Sequence, residues 1–367
     1  MEKNINKVVI SGGGTGGHIF PAIAIANEIK NKYPSAEILF VGAKGKMEME
    51  KVPQAGYKII GLPITGFQRK IAFSNFILPF KLIYSLIKAF FLLKKFNPDV
   101  VIGVGGYASG PILRVASFAS IPTIIQEQNS FPGKTNRILS KVVNKICVAY
   151  DGLEKFFPKD KIVFTGNPIR NEMISIAGKK HEAFEFFGLD PNKKTILVIG
   201  GSLGARTLNE SIINSIEFIS NNNIQVLWQC GKFYFSQYKD NTSNLKSKGI
   251  HLNEFIFKMD LAYACADLII SRAGAISVSE LTLVGKPVIL VPSPNVSDDH
   301  QTKNALALVN KNAAVLIKDT DAKNILFDEA IKLVSNQEKS NLLASNCMSL
   351  GIPNAAERIV NEIENII

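Results

Sequence analysis

The sequence predicts an α/β protein made of two consecutive domains, each containing a parallel β-sheet. Strand-like and helix-like runs alternate along almost the whole chain, as they do in βαβ units. The alternation starts again near residue 195, and both starts have the same order of strand, glycine-rich loop and helix. With 367 residues, the chain is long enough for two domains that each have their own core.

The predicted elements divide between two halves. In the first half, apolar runs predict strands at residues 7–10, 37–41, 100–102, 123–125 and 145–148, with helices at 19–30 and from about 110 onward. In the second half, they predict strands at 195–199, 225–229, 267–271 and 287–291, with a helix that continues to residue 219 after the first strand. We therefore expect domains at residues 1–166 and 167–350, joined near the Gly166-Asn167-Pro168 turn. A terminal helix follows at 351–367, and the sequence leaves its attachment open.

Composition limits the classes of partner. The net charge of +11 and the pI of about 9.3 favour anionic partners, which include nucleic acid, an acidic membrane surface and phosphorylated ligands. No pattern of interleaved aromatic and basic residues indicates nucleic-acid binding. The 4 cysteines are scattered, which argues against a zinc site and fits a reducing compartment. The N-terminal residues lack the apolar core of a signal peptide, so we expect a cytoplasmic protein.

One long apolar segment lies at residues 71–96. Lys81 and Lys88 interrupt it and Pro79 is expected to break it, so it lacks the roughly 20 nearly uninterrupted apolar residues of a spanning helix. Two interpretations remain. The segment is an ordinary buried helix, or it is a helix or helix pair that lies on a membrane, with the flanking cations at positions 69, 70, 94 and 95 near anionic headgroups.

Three glycine-rich loops follow predicted strands. The first, Gly12 to Gly17, matches the G-x-G-x-x-G fingerprint, but the second strand does not end in the acidic residue that would hold a ribose, which disfavours a nicotinamide site. The others span residues 103–110 and 200–205. Glycines let backbone N–H groups approach an anion, and ligands of open α/β sheets bind at the carboxyl ends of strands. Each loop alone is also explained as a tight turn, but together they predict phosphate binding.

Two further enzyme classes can be tested against motifs. No GxxxxGK[ST] sequence occurs, so the chain is not a P-loop kinase or NTPase. Gly200 to Gly204 spells G-x-S-x-G, the nucleophile elbow of a hydrolase, with Ser202 at its centre. The histidines that follow it, His251 and His300, have no clear catalytic setting, so a hydrolase is disfavoured.

Six motifs occur in order along the chain, and their combination is much more specific than any single glycine-rich loop. They are GGGTGGHIFPAIAIA at 12–26, GVGGYASGP at 103–111, EQN at 127–129, TGNPIR at 165–170, GGSLGAR at 200–206 and SRAGAISVSE at 271–280. Over essentially the whole chain, this combination resembles the MurG family of bacterial peptidoglycan glycosyltransferases.

The resemblance implies a fold, a reaction and a location. The fold would be GT-B, with two Rossmann-like parallel-sheet domains facing a deep cleft. The reaction would move N-acetylglucosamine from UDP-N-acetylglucosamine, with inversion, to the C4 hydroxyl of undecaprenyl-pyrophosphoryl-N-acetylmuramoyl-pentapeptide. The partners would be these two substrates and the membrane, with the protein peripheral on the cytoplasmic face of the inner membrane.

The resemblance also assigns donor-binding residues. Ser202 would contact the diphosphate, Glu280 would accept hydrogen bonds from the ribose hydroxyls, and Ile256 would lie against the uracil. Arg170 would add positive charge, and Gln301 and Asn304 would address the transferred sugar. The remaining residues of the implied donor site are Thr15, Gly16, Gly17, Asn129, Ala275, Ile276, Ser277, Val278 and Ser279.

The first domain would hold the acceptor and the base. Its diphosphate would be bound by Gly13, Gly14, Gly105, Gly106 and Tyr107, and the membrane would be contacted by Phe76, Ile77, Phe80, Lys81, Ile83 and Tyr84. A sugar hydroxyl must lose a proton during transfer, and a histidine has a suitable pKa for the base. We therefore hypothesise that His18 is that base or helps to position it; the alternative is that His18 only hydrogen-bonds its loop.

The sequence departs from the family pattern in two places. Leu203 stands where the family usually has glutamine, which puts one polar donor contact in doubt, and Ser277 stands where threonine is common but keeps the hydroxyl. Asp319-Thr320-Asp321 spells DxD, a motif that holds a metal in another glycosyltransferase fold. Because it precedes a predicted helix, we interpret it as a helix N-cap and expect no obligatory metal or other cofactor.

Two other functions remain open at this point. A UDP-N-acetylglucosamine 2-epimerase would use a similar nucleotide-binding half but would need no surface facing a lipid. A non-catalytic module would bind the nucleotide sugar or a membrane without turnover.

Overall fold

The computed structural model describes residues 4–65, 74–169, 175–296 and 299–367, with the backbone alone for residues 74–78. The chain divides into two compact units. The first comprises residues 1–169 together with 353–367, and the second comprises residues 170–352. The terminal helix, whose attachment the sequence left open, thus belongs to the first unit.

The first unit is a parallel sheet with helices on both faces. Its strands lie in the order β3-β2-β1-β4-β5-β6-β7. They are β1 (Lys7–Ser11), β2 (Glu37–Ala43), β3 (Lys58–Leu62), β4 (Val100–Gly103), β5 (Thr123–Glu127), β6 (Lys145–Val148) and β7 (Ile162–Phe164). The helices are α1 (Gly16–Lys32), α2 (Glu48–Gln54), α3 (Ser74–Phe96), α4 (Ser109–Phe118), α5 (Lys134–Leu139) and α16 (Ala355–Ile366).

The strands of this sheet bury both of their faces, because successive side chains point in opposite directions. On one face, Val8 and Ile10 of β1 pack in a cluster with Ile25 of α1 and Ile359 of α16. On the other face, Val9 packs in a cluster with residues of α3 and α4. The near-continuous apolar strands that the sequence shows are therefore those of a sheet covered on both sides.

The second unit repeats this plan. Its strands are parallel in the order β10-β9-β8-β11-β12-β13. They are β8 (Lys194–Ile199), β9 (Ile224–Gln229), β10 (Ile250–Asn253), β11 (Leu268–Ser271), β12 (Val288–Leu290) and β13 (Val315–Leu316). The helices are α6 (Lys180–Phe187), α7 (Arg206–Asn214), α8 (Ile216–Asn221), α9 (Lys232–Tyr238), α10 (Thr242–Ser247), α11 (Met259–Cys265), α12 (Ala275–Val284), α13 (His300–Val309), α14 (Asp319–Ser335) and α15 (Gln337–Ser349).

Both strand orders have a topological switch point, where the chain changes the direction in which it adds strands. In the first unit it lies between β1 and β4, and in the second between β8 and β11. Ligands of open α/β sheets bind at the carboxyl ends of the strands at this point. The first and second glycine loops follow β1 and β4, and the third follows β8, so all three lie at a switch point.

The structure confirms the predicted fold class of two Rossmann-like units with parallel sheets. Some details differ. The sequence reasoning missed β3, β7, β10 and β13, and the helix expected to continue to residue 219 is divided at Ser215, whose φ of −111° departs from helical geometry. Pro79 does not break the apolar segment: α3 is one helix with that proline near its start. Within the described residues, no helix is both long and apolar enough to cross a bilayer.

Candidate active site

The first glycine loop connects β1 to α1 and is held by the loop that follows β4. The N–H of Gly13 donates to the carbonyl of Gly105 over 3.3 Å. Thr15 is the N-cap residue of α1, and its side chain does not cap the helix. The N–H of His18 donates to the carbonyl of Thr15 over 3.1 Å, whereas the N–H groups of Gly16 and Gly17 stand at the start of the helix, where no preceding turn supplies an acceptor. The end of this loop can therefore donate the N–H groups of Gly16 and Gly17 to an anion.

Two glycines of the second loop are required by close packing. Gly105 and Gly106 have φ angles of +96° and +93°, which a side chain would strain. A Cβ at Gly105 would lie 2.8 Å from Nε2 of His18, and one at Gly106 would lie 2.6 Å from the carbonyl oxygen of Gly13. Both glycines thus let the two loops lie against each other, and Tyr107 beside them is half exposed.

His18 lies in the first turn of α1 and is half-buried. Its Nδ1 is 2.9 Å from the carbonyl oxygen of Gly13. A carbonyl oxygen only accepts, so Nδ1 carries the hydrogen, and in the neutral ring the basic lone pair is on Nε2. Nε2 lies against Gly105, 2.8 Å from the position that a Cβ on that residue would occupy. The alternative to a catalytic role was that His18 only hydrogen-bonds its own loop. That hydrogen bond instead selects the tautomer with the lone pair on Nε2, which is the tautomer that a general base requires.

A buried carboxylate supports the first loop and was missed by sequence reasoning. Glu48, at the start of α2, is 1% exposed. One oxygen accepts from the N–H of Gly14 over 2.8 Å and the other from the N–H of Ala43 over 2.9 Å. A Cβ at Gly13 would overlap this carboxylate. Because the N–H groups of Gly13 and Gly14 already have acceptors, an acceptor diphosphate on this loop would be bound mainly by the first turn of α1.

Asn129 follows β5 and is fixed by the glutamate of the EQN motif. One oxygen of Glu127 accepts from the backbone N–H of Asn129 over 3.0 Å and from its side-chain amide over 3.2 Å. The other oxygen accepts from Gly133 and Asn136. Glu127 is only 2% exposed, so it orients Asn129 from below the surface.

In the second unit, the third glycine loop is tied to the segment that contains Ile256. The side-chain amide of Gln229, at the end of β9, donates to the carbonyl of Gly201 over 3.1 Å, and its oxygen accepts from the N–H of Ile256 over 2.9 Å. Ser202 and Leu203 are exposed beside this bridge. Sequence reasoning missed Gln229, although a polar residue that ends an apolar strand at the carboxyl edge was a usable signal.

Helix α12 begins directly after the turn at Gly274 and carries six of the fifteen predicted donor residues, Ala275 to Glu280. Ala275 and Val278 are buried, whereas Ile276, Ser277, Ser279 and Glu280 are half-buried. The hydroxyl of Tyr263 donates to Oε2 of Glu280 over 3.3 Å. Burial, with Glu280 as the second cause, raises the pKa of Tyr263 well above its usual value, so this hydroxyl keeps its proton and orients the carboxylate.

The two predicted sugar-binding residues lie on α13. The side-chain oxygen of Gln301 accepts from the N–H of Ser293 over 2.9 Å, which leaves its NH2 group as the donating end. Asn304 is fully buried and donates to the carbonyl of Ala273. It therefore supports the turn that precedes α12. Arg170, also predicted here, lies outside the described residues.

The DxD sequence begins helix α14, but its expected role as an N-cap is wrong. Lys318 is the N-cap residue and caps the helix with no side-chain hydrogen bond. The carboxylate of Asp319 instead pairs with the guanidinium of Arg272 and accepts from the hydroxyl of Thr207 over 2.9 Å. Arg272 also donates to the carbonyls of Val291 and Pro292. This group joins the ends of β11 and β12 to α7 and α14.

Removal of Asp319 is expected to destabilise the second unit. The pair is largely buried, so Asp319→Ala leaves the guanidinium without its counter-charge, which costs about 3 kcal/mol. Trp228, the only tryptophan, is fully buried in this unit and reports its unfolding in urea by fluorescence. The matched control is Asp321→Ala, because that carboxylate is exposed and bonds only locally. Equal urea midpoints for both variants would contradict the prediction.

Comparison with known proteins assigns both units to one enzyme family. The glycosyltransferase family 28 N-terminal domain matches residues 8–148, and the family 28 C-terminal domain matches residues 195–359. A protein of Flavobacterium psychrophilum is 55% identical over 361 residues, which cover 98% of both chains. It is named UDP-N-acetylglucosamine--N-acetylmuramyl-(pentapeptide) pyrophosphoryl-undecaprenol N-acetylglucosamine transferase. A protein of Parabacteroides distasonis with the same name is 54% identical, again over 98% of both chains.

The solved structures agree with these relatives. The crystal structure of MurG from Acinetobacter baumannii superposes with a TM-score of 0.76 at 28% identity and covers 98% of this chain and 99% of that one. This chain belongs to the MurG family. Like other MurG proteins it has the GT-B fold, and it is a hexosyltransferase.

The epimerase alternative is not favoured. A UDP-N-acetylglucosamine 2-epimerase superposes on the MurG-family chain with a TM-score of 0.66, over 98% of this chain and 95% of its own, but at 16% identity. Similarity at that level shows a common fold alone. The full-length relatives at more than 50% identity carry the transferase name.

Proposed function

We propose that the protein transfers N-acetylglucosamine from UDP-N-acetylglucosamine to the C4 hydroxyl of undecaprenyl-pyrophosphoryl-N-acetylmuramoyl-pentapeptide, with inversion at C1. The observation that carries this proposal is the 55% identity, over 98% of both chains, to a relative named for this transfer. In the reaction, the bond between C1 of the sugar and the UDP oxygen breaks, and a bond between C1 and the acceptor O4 forms. UDP leaves, and the acceptor hydroxyl loses its proton.

The residues of the second unit suit recognition of the donor. Ser202 and the exposed third glycine loop present a hydroxyl and N–H groups to the diphosphate. Glu280, oriented by Tyr263, accepts hydrogen bonds from the ribose hydroxyls. Gln229 hydrogen-bonds both the third glycine loop and the segment that contains Ile256. It therefore fixes the distance between the residues proposed to bind the diphosphate and those proposed to bind the uracil.

The residues of the first unit suit activation of the acceptor. Nε2 of His18 takes the proton of the acceptor hydroxyl, because Nδ1 is already protonated and held by Gly13. The first turn of α1 donates N–H groups to the acceptor diphosphate, with Tyr107 nearby. Asn129, fixed by Glu127, orients the sugar.

The deciding experiment measures UDP release from UDP-N-acetylglucosamine with and without a short-chain analogue of the lipid acceptor. Release that depends on the acceptor, together with a disaccharide product, is the expected result. Release or epimerisation without the acceptor would overturn the proposal in favour of an epimerase. Measurable donor binding with no turnover in the presence of the acceptor would overturn it in favour of a binding module.

We further propose that no metal is required for transfer. The carboxylate that a metal-binding DxD would use, that of Asp319, is already bound by Arg272 and Thr207. The positive charge and N–H donors needed to stabilise the leaving diphosphate then come from the protein. We expect turnover to remain within about twofold after treatment with EDTA and assay in metal-free buffer. A loss of activity that Mg²⁺ restores would contradict this.

The protein is also proposed to dock on an anionic membrane through α3. Ser85, Ala89 and Leu93 are buried in the first unit, four residues apart along the helix. The other face is exposed and apolar, with Phe80 73%, Ile83 56%, Tyr84 59%, Ile87 51% and Phe91 64% exposed. These positions form one helical stripe. Two further predicted membrane residues, Phe76 and Ile77, lie on the same helix, but the structure describes only their backbone.

Only some of the lysines near this stripe are placed to contact lipid headgroups. Lys94 and Lys95 are exposed at the end of α3, and Lys81 is half-buried beside the stripe. Lys88 instead donates to the carbonyl of Gly61 over 2.8 Å, and burial lowers its pKa, with Lys44 as a second cause. Lys81, Lys94 and Lys95 therefore supply the charge for headgroups.

A substitution on this stripe is expected to weaken docking. Phe80→Ser should lower binding to phosphatidylglycerol vesicles about tenfold, because one fully buried apolar side chain is worth about 1.5–3 kcal/mol. Sedimentation with vesicles measures the effect. Phe186→Ser is the matched control, since Phe186 is 60% exposed on the second unit. Equal vesicle binding by the two variants would exclude α3 as the docking surface.

A further inference from the structure

Glu48 is a buried charged group that the proposed reaction does not use. In the described part of the chain its two oxygens are bound by backbone N–H groups and not by a cation. Burial of a carboxylate costs free energy, and a hydroxyl could accept one of these hydrogen bonds at lower cost. A carboxylate, however, accepts from both N–H groups and presents no donor to either. Its charge at this place therefore calls for an explanation.

The two atoms that connect Glu48 to His18 belong to one peptide group. The N–H of Gly14 donates to Glu48 over 2.8 Å, and the carbonyl of Gly13 accepts from Nδ1 of His18 over 2.9 Å. This carbonyl and this N–H are the two ends of the peptide between Gly13 and Gly14. Carboxylate, peptide and imidazole thus form one line of hydrogen bonds, and successive bonds in such a line polarise one another.

We propose that Glu48 is a positioning residue for His18 and acts on it through the Gly13–Gly14 peptide. The carboxylate draws the N–H of Gly14 toward itself, which makes the carbonyl of Gly13 a stronger acceptor for Nδ1. This fixes the tautomer with the lone pair on Nε2 and makes that nitrogen more basic. The arrangement corresponds to a carboxylate–histidine pair with one peptide group inserted. It rests on the proposed function, in which His18 is the base.

The packing of glycines supports this reading. Gly13 and Gly42 lie against Glu48, and a Cβ on either would overlap its side chain. The carboxylate therefore fills a space near the ends of β1 and β2 that exists only because Gly13 and Gly42 have no side chains. The other titratable groups on the surrounding elements include Tyr107 on the second loop, Glu127 at the end of β5, the exposed Lys44 and Lys46 before α2, and Glu50 and Lys51 on α2 itself. Glu127 is held in its own set of hydrogen bonds with Asn129 and Asn136.

The test compares Glu48→Gln with Glu50→Gln. Glu50 lies two residues away on the same helix, is exposed and bonds to Lys51 and Gln54, so its variant is the matched control. In Glu48→Gln, we expect kcat for transfer to fall about tenfold, a part of the 10²–10⁴-fold that a general base contributes. The KM for UDP-N-acetylglucosamine should change little, because the hydrogen-bond partners of Glu48, Gly14 and Ala43, are not among the residues assigned to the donor. The thermal midpoint should fall, because the amide NH2 of glutamine faces one of these two N–H groups and leaves it without an acceptor.

A readout besides activity is the protonation of His18, followed by NMR on protein with isotope-labelled histidine. The chain has 4 histidines, and the His18→Gln spectrum identifies the signal. A nearby negative charge favours the protonated ring, so the pKa of His18 should be lower in Glu48→Gln than in the wild type and unchanged in Glu50→Gln. If Glu48→Gln folds poorly, Glu48→Asp keeps the charge and should retain a higher His18 pKa and a higher kcat than the glutamine variant.

The outcomes separate this proposal from the one on which it rests. A lower kcat with an unchanged His18 pKa would show that Glu48 only supports the loop and would overturn the inference. A lowered His18 pKa, in a protein whose His18→Gln variant still turns over normally, would leave the coupling in place but overturn the role of His18 as base. A lowered pKa together with loss of turnover in both variants supports both.

Discussion

His18→Gln is expected to lower kcat for acceptor-dependent transfer by about 10²–10⁴-fold, the usual contribution of a general base. The glutamine amide can still donate to the carbonyl of Gly13, so the loop should keep its conformation while the basic nitrogen is lost. The KM for UDP-N-acetylglucosamine should stay within about threefold of the wild type, since a group that acts only in the transition state affects kcat. Initial rates of disaccharide formation, measured over a range of pH, give both values.

The pH profile adds a second criterion. In the wild type, kcat/KM should fall at low pH as Nε2 becomes protonated, and this acid limb should be absent from the residual activity of His18→Gln. His181→Gln is the matched control, because His181 is an exposed side chain that pairs with Glu185 on α6. A His18→Gln enzyme with turnover within a few-fold of the wild type would remove His18 from the chemistry.

Glu280→Gln is expected to raise the KM for UDP-N-acetylglucosamine about tenfold to a hundredfold, because a hydrogen bond to a charged group contributes about 1.5–3 kcal/mol. The amide is uncharged and keeps only one acceptor oxygen, so it cannot accept charge-assisted hydrogen bonds from both ribose hydroxyls. The effect on kcat should be smaller, since the ribose contact exists before and during transfer. Steady-state kinetics with saturating acceptor separate the two parameters.

A donor with 2′-deoxyribose makes the test specific. The wild type should discriminate against this analogue, and Glu280→Gln should discriminate much less, because the contact that reads the hydroxyl is already lost. Tyr263→Phe removes only the hydroxyl that orients the carboxylate and should give a smaller rise in KM. Unchanged discrimination in Glu280→Gln would mean that the ribose is read by another group.

The fold was predictable because its signal is repeated. Each central strand is a run of buried β-branched residues, such as Val8 to Ile10, and each is followed by a turn signal. The missed strands lack this signal: β3 ends in a glycine-containing sequence at the sheet edge, and β13 has only two residues. Short edge strands are defined by their neighbour in the sheet rather than by their own pattern.

Much less of the supporting structure of the site could be predicted. Glu48 and Glu50 are indistinguishable in the sequence, yet one is buried under the first glycine loop and the other is exposed. Likewise, Asp319 has the composition of an N-cap but is drawn to Arg272, 47 residues earlier in the chain. Local patterns show which residue types are available, whereas long-range partners decide what each carboxylate does.

The return of the chain to the first unit has a consequence for how the protein is made. Ile359, Val360 and Ile363 of α16 are fully buried in the same cluster as β1 and α1, and Lys32 and Tyr33 of the first unit bond to residues of that helix. The second unit is contiguous in sequence, whereas the first unit combines residues 1–169 with residues 353–367. The core of the first unit cannot be completed before α16 has been synthesised, because this helix and α1 pack in the same cluster on one face of its sheet. The half of the protein that is made first thus depends, for its complete core, on residues that are made after the whole second unit.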